Sequence, residues 1–380
     1  VSRVITFAAA ALLALALPAT AHAAPVNPVP APSVTFNGPV YTAAVWGEVI
    51  YVAGNFTSAR VNGVSYTRQR LAALDRNNGA LLNWKPTADN LVVSLAADSG
   101  GVYIAGEFGY VNGVRRDSLA KIDLISGGLH STFNHKIYGS PRAIAASNGR
   151  VYIGGSITSV NGNARTRAAA FNAATGALDA AWAPSINDTV MSVVPSGDRV
   201  YLGGRFDSIN GAAGTAKIAV VRPDSAAVDT GFTSKVTAMV HDIFISGATV
   251  YAGIDGSGGR ATAMELNGTP KWTVTTDGDV QAVAELDGTV YLGGHFDNVC
   301  RSANVGYKGA CLDGNDTRVK LAAVDLNGML QAWTANGNGS VGVHAIIADP
   351  GRGQLIVCGE FTKINGVTQN RFAVFRLSMS

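Results

Sequence analysis

Three histidines, His241, His295 and His344, fall in different copies of a repeated phrase, at places where the other copies carry other polar residues. One set of equivalent positions, near the start of an apolar run, holds Tyr41, Val93, Arg142, Met191, His241, Gln281 and His344. A second set, the variable residue of GGxF, holds Asn55, Glu107, Ser156, Arg205, His295 and Glu360, with Asp255 as the loose equivalent in a degraded copy. Imidazoles beside carboxylates suit proton transfer or a Zn or Cu ion. Arg, Glu, Gln and Tyr around a concave mouth suit hydrogen bonding to a ligand. The chain has no H-x-x-x-H pair, no G-x-S-x-G elbow, no P-loop and no Rossmann fingerprint. The sequence therefore assigns no catalytic residue, no metal and no cofactor. It nominates Tyr41, Glu107, Arg142, Arg205, His241, Gln281, His295, His344 and Glu360 as a binding rim. His130 and His135 read as exposed edge or loop histidines.

The elements that must position this rim come from the repeat. The phrase recurs as YVAGNFTSARVNG from Tyr51, YIAGEFGYVNG from Tyr103, YIGGSITSVNG from Tyr152 and YLGGRFDSING from Tyr201. YAGIDGSGG from Tyr251, YLGGHFDNVC from Tyr291 and IVCGEFTKING from Ile356 complete the series, roughly one copy per 50 residues. Each copy predicts four strands. Strand A is an apolar run such as NLVVSLAA. Strand B is VYxGGxF, strand C is RLAALD or SLAKID, and strand D ends in an aromatic: Trp84, Phe133, Trp182, Phe232, Trp272 or Trp333. The Asn-Gly pairs at 62–63, 112–113, 161–162, 210–211 and 365–366 predict turns with positive φ between B and C. Four short antiparallel strands per unit, repeated radially, predict an all-β, closed seven-bladed β-propeller over residues 33–380. Because A and B run antiparallel, the start of A and the end of B share one face with the D–A and B–C loops. That face is where the rim residues gather. The last unit stops after strand C, so Val34–Asn37, with Phe36 in the aromatic slot, is expected to pair with Phe372–Leu377 and join the two ends.

Composition agrees. Charged residues make up only 14% of the chain and glycine 45 of 380, which excludes a disordered polymer. A net charge of +3 provides no basic stripe, so nucleic acid is not an expected partner. Val4–Leu17 is an apolar run after Arg3, broken by Pro18 and followed by Ala21-His22-Ala23. This reads as a signal peptide, residues 1–23, cleaved near Ala23, and predicts a secreted protein without a membrane span. Residues 24–32 read as a Pro-rich lead, extended and mobile. Export permits a disulfide between Cys300 and Cys311 in the long B–C loop of the sixth unit, and Cys358 reads as a buried free thiol.

The phrase GGxFxxVNG, followed by RxxLAxxD and an aromatic, resembles the delta-60-type repeat of secreted bacterial β-propellers. The resemblance spans the chain after the lead, except that the fifth unit lacks GGxF and VNG. It implies a propeller and export, and brings no settled activity. The functional reading is a secreted, non-enzymatic monomer that holds an extracellular glycan or protein on the D–A/B–C face. The alternative is an extracellular lyase, hydrolase or oxidase with a His-containing site on that face.

Overall fold

The structure is a computed structural model in which residues 24–256 and 258–378 are described. The expected signal segment lies outside the described residues. Each repeat unit folds into its own antiparallel sheet in the order A-B-C. In the first unit the strands are Val40–Trp46, Val49–Gly54 and Leu71–Asp75. Strand B lies between its neighbours and is buried on both faces, which is why it reads as a continuous apolar run. Strand A buries an apolar residue at its start and another three residues on, as in Val40 and Ala43 or Val92 and Leu95, the extra residue between them forming a bulge.

The A strands pack face to face in chain order. Val40–Trp46 lies on Val92–Asp98, which lies on Pro141–Ser147, and so on through Val190–Ser196, Val240–Ser246, Val280–Leu286 and Val343–Asp349. Val343–Asp349 packs in turn on Val40–Trp46. The recurring aromatics fill the wedges between sheets. Tyr51 meets Trp84 edge-on at 5.1 Å between ring centroids, and Tyr152 meets Trp182 at 5.1 Å. The indole N–H of Trp84 donates to the Asp123 carbonyl of the next unit, and that of Trp182 to the Arg222 carbonyl. The terminal aromatic is thus a clamp onto the following sheet.

Two expectations change in form. The Asn-Gly turns are present, with Asn62, Asn112, Asn161, Asn210 and Asn365 all at φ near +50°. In four of these copies, however, the turn closes a separate small hairpin, such as Ser58–Val61 with Val64–Thr67, that stands apart from the main sheet. Strand D is mostly reduced to single bridges such as Leu74↔Leu81 and Phe171↔Leu178. In several units the motif arginine adds bonds to the D segment. Arg165, almost fully buried, donates to the carbonyls of Ala164 and Asp179 at 2.8 and 3.1 Å, and Arg68 and Arg116 make the same pair of bonds. The guanidinium binds the D segment beside strand C, which still accepts from the N–H groups of Leu82, His130 and Asp179. The fifth unit lacks both hairpin and arginine, and there Arg260–Glu265 pairs directly with a full strand D, Pro270–Thr275.

The pairing expected of the N-terminal strand is shifted. Thr35 and Phe36 pair with Arg60 and Ala59 of the first hairpin, not with the last strand C. The last strand, Phe372–Arg376, is met earlier. The N–H groups of Asn27 and Ala31 donate to the carbonyls of Arg376 and Val374 at 2.8 and 2.7 Å. Counting from such a pairing in other units, as from Asp179 to Trp182, places Val34 in the aromatic slot, and Val34 shares a core with Ile356, the residue that replaces the strand B tyrosine. Phe36 packs instead on Phe56 and Phe372, at 4.4 and 5.9 Å. The Pro-rich lead is also seated. Val26 is 1% exposed among Trp333, Phe375 and Tyr291, and its N–H donates to the Tyr291 hydroxyl at 2.8 Å.

Candidate ligand-binding mouth

A single backbone device aims the rim. In every unit the A–B ladder slips by one residue at the start of A: Val40 pairs with Gly54 but Thr42 with Ala53, and the same shift recurs at each copy. The residues inside these bulges are Tyr41, Val93, Arg142, Met191, His241, Gln281 and His344, the first set nominated from sequence. A bulge leaves one residue out of the ladder and redirects its side chain. The second set is fixed by one recurring bond. The N–H of Asn55, Glu107, Ser156, Arg205, Asp255, His295 and Glu360 each donates to a carbonyl of the D–A junction, at 2.7–3.0 Å. That junction passes so close to the preceding strand-B residue that a Cβ at Gly106 or Gly294 would collide with the carbonyl of Leu91 or Asp279.

Contacts divide the rim into groups. His344 Nε2 lies 3.1 Å from Glu360 Oε1, and the Tyr41 ring stands edge-on to His344 at 5.0 Å. Burial pushes His344 down against the pull of Glu360, and burial with Glu360 and Glu107 raises Tyr41. Arg142 pairs with Glu107 at 3.4 Å. Arg205 leans on the Met239 sulfur at 3.0 Å. His295 borders a cleft of about 290 Å³ with Asp277, Asp279, Asp297, Lys308 and Lys320. The three histidines therefore do not form one ligand set. His241 stands instead with Asp255 and Asp279, whose ligating atoms all lie within 4.8 Å of one another.

Sequence reasoning missed two features. Asp279 sits in the D–A junction, where other units carry Pro39, Leu91, Ser140, Thr189, Met239 and Gly342, so no recurring residue type marks the place. The residue before strand C is also on this face. Arg70, Arg167, Lys217, Lys320 and Arg371 all have φ between +66° and +74°. Lys217 donates to the Arg205 carbonyl at 2.7 Å, and Lys320 pairs with Asp297 at 2.9 Å. The available signal was the Arg or Lys that recurs just before strand C, but cations, unlike Gly or Asn, do not announce a positive φ.

The long loop of the sixth unit contains the Cys300–Cys311 disulfide, and Cys358 is a buried free thiol. Val305 and Gly309 press on Gly258 and Asp277 of the neighbouring region, so the insertion of unit six leans over the place where unit five lacks its hairpin. His135 is buried, contrary to expectation, in a pocket against Phe171 and Phe133 at 4.6 and 5.7 Å. Its ring nitrogen Nδ1 is 3.1 Å from the Asn161 amide.

A sequence family described as a β-propeller domain of unknown function (DUF5122) matches residues 146–181 and 353–377. No curated protein matches the chain. Among solved structures, the WD40 β-propeller domain of Doa1 is similar, with a TM-score of 0.57 and 11% identity over 91% of this chain and 96% of that one. The computationally designed Ika8 protein is similar with a TM-score of 0.51 and 12% identity, over 90% and 98% of the two chains. No helix among the described residues is long and apolar enough to cross a membrane. Repeated A-B-C sheets, stacked through their A strands and similar to a propeller over nine-tenths of the chain, make this an all-β protein of the β-propeller fold.

Proposed function

We propose that the chain is a closed seven-bladed β-propeller, secreted after cleavage near Ala23, that works as a non-enzymatic binding module. Its D–A/B–C mouth holds an extracellular glycan or protein. The observation that carries this reading is the repeated bulge: every unit turns one variable residue out of the ladder onto the same mouth. Closure is supported by the packing of Val343–Asp349 on Val40–Trp46 and by the pairing of the lead with the last strand. Variable polar residues on a rigid scaffold are the usual arrangement of a binding surface. A glycan array and a pull-down with the protein from Ala24 onward test it. Binding should fall at least tenfold in a Tyr41→Ala, Arg142→Ala double variant that keeps its melting temperature. No retained ligand in either assay, from a well-folded protein, sinks the reading.

A further inference from the structure

We propose that His241, Asp255 and Asp279 bind a divalent transition-metal ion of the Zn²⁺ class at the mouth, an ion that the binding-module reading does not assign. The donor set comes from three places in the fold. His241 is the bulge residue of the fifth unit, Asp255 directly follows strand B of the same unit, and Asp279 closes the D–A junction into the sixth. One imidazole nitrogen and two carboxylates are a ligand set such ions take. Their ligating atoms lie within 4.8 Å of one another, whereas donors on one ion at about 2.0–2.2 Å stand no more than about 4 Å apart. The set must therefore contract by about 1 Å to hold one ion.

Two further observations point to a cation. His241 Nε2 is covered from solvent and makes no hydrogen bond; its nearest carboxylate oxygen, on Asp255, is 3.7 Å away. The two carboxylates also face each other. Both accept from the single N–H of Gly256, at 2.8 and 3.0 Å. A divalent ion satisfies the orphan nitrogen and both like charges at once. No other unit repeats the set: at the position of Asp255 they carry Asn55, Glu107, Ser156, Arg205, His295 and Glu360. Three protein ligands leave at least one coordination position free, and Asp279 also lines the 290 Å³ cleft with His295, Lys308 and Lys320. A bound ion would therefore offer its open position to an oxygen donor entering that cleft.

The test uses the chain from Ala24, stripped with chelator and dialysed, titrated with Zn²⁺ by calorimetry and with Co²⁺ by visible absorption. One ion per chain is expected, with the Co²⁺ spectrum of a site holding a single nitrogen donor. His241→Gln and Asp279→Asn should each weaken binding at least 100-fold while metal-free melting is unchanged. His130→Gln, in the D segment of the second unit, should bind as the parent does. Asp255→Asn supplies a second carboxylate variant if Asp279→Asn does not fold. The proposal is overturned if the parent takes up no stoichiometric ion at 1 mM metal (about the weakest affinity worth the name), or if both carboxylate variants bind undiminished. Because these readouts need no macromolecular ligand, they stand or fall apart from the glycan and protein assays.

Discussion

His135 shows what one buried side chain costs and contributes. It is 7% exposed, packed on Phe171, and the pocket with nearby Arg116 pushes it down to about 4. An unfolded histidine titrates near 6.5. The folded value is lower, so its contribution is fully present above about pH 6.5 and is lost as pH falls toward 4. From pH 7.5 to pH 5 the loss is about 2 kcal/mol by linkage. Urea unfolding of the parent and of His135→Gln at both pH values measures it, and the variant should lose about 2 kcal/mol less on acidification. Equal losses would show that the ring is hydrated enough to be protonated in place. The sequence did not mark this residue as buried, because nothing local distinguishes it from His130. The pocket is built by Phe171, in a different strand of the next unit.

At the scale of elements, the arginine of RxxLAxxD is structural. Arg165→Met removes two charge-assisted bonds and strands the carbonyls of Ala164 and Asp179. The expected cost is about 2–3 kcal/mol. Arg260→Met in the fifth unit, where strands C and D pair directly, should change stability by no more than about 0.5 kcal/mol. Chemical denaturation of the two variants separates them, and equal costs would remove the idea that the guanidinium holds the D segment in place. The Asn-Gly turns were legible because Asn and Gly are the residues that tolerate positive φ in sequence. The bulges were not, since a one-residue slip leaves no compositional trace and Tyr41, Val93 and His241 have no chemistry in common. The first nominated set nevertheless coincides with the bulge residues, because variation within a repeat marks a slot outside the shared packing whatever backbone device creates it.

At the scale of the whole molecule, the lead is part of the fold. Prolines at 25, 28, 30 and 32 suggested a free linker, yet they leave alternate N–H groups, and two of those reach the edge of the last strand. Side chains join the same seam. Arg76 of the first unit forms a buried ion pair with Asp349 of the last, and Arg352 pairs with Glu48 at 2.7 Å. Burial opposes ionisation of Asp349, but hydrogen bonds from Arg76 and Gln354 outweigh it and hold the carboxyl below its usual range. Deleting residues 24–32 from the chain that begins at Ala24 leaves this ion pair in place and removes the Val26 contact with three bonds from N–H groups, those of Val26, Asn27 and Ala31. Burying a valine contributes roughly 1.5–3 kcal/mol, and each bond about 0.5–1.5 kcal/mol. The deletion also uncovers the edge of Phe372–Arg376, a template for aggregation. The truncated protein should therefore melt several degrees lower and scatter light on heating, whereas Val29→Ser, at a residue 64% exposed, should match the parent. Coincident melting curves for the truncated and parent chains would return the lead to the status of a linker.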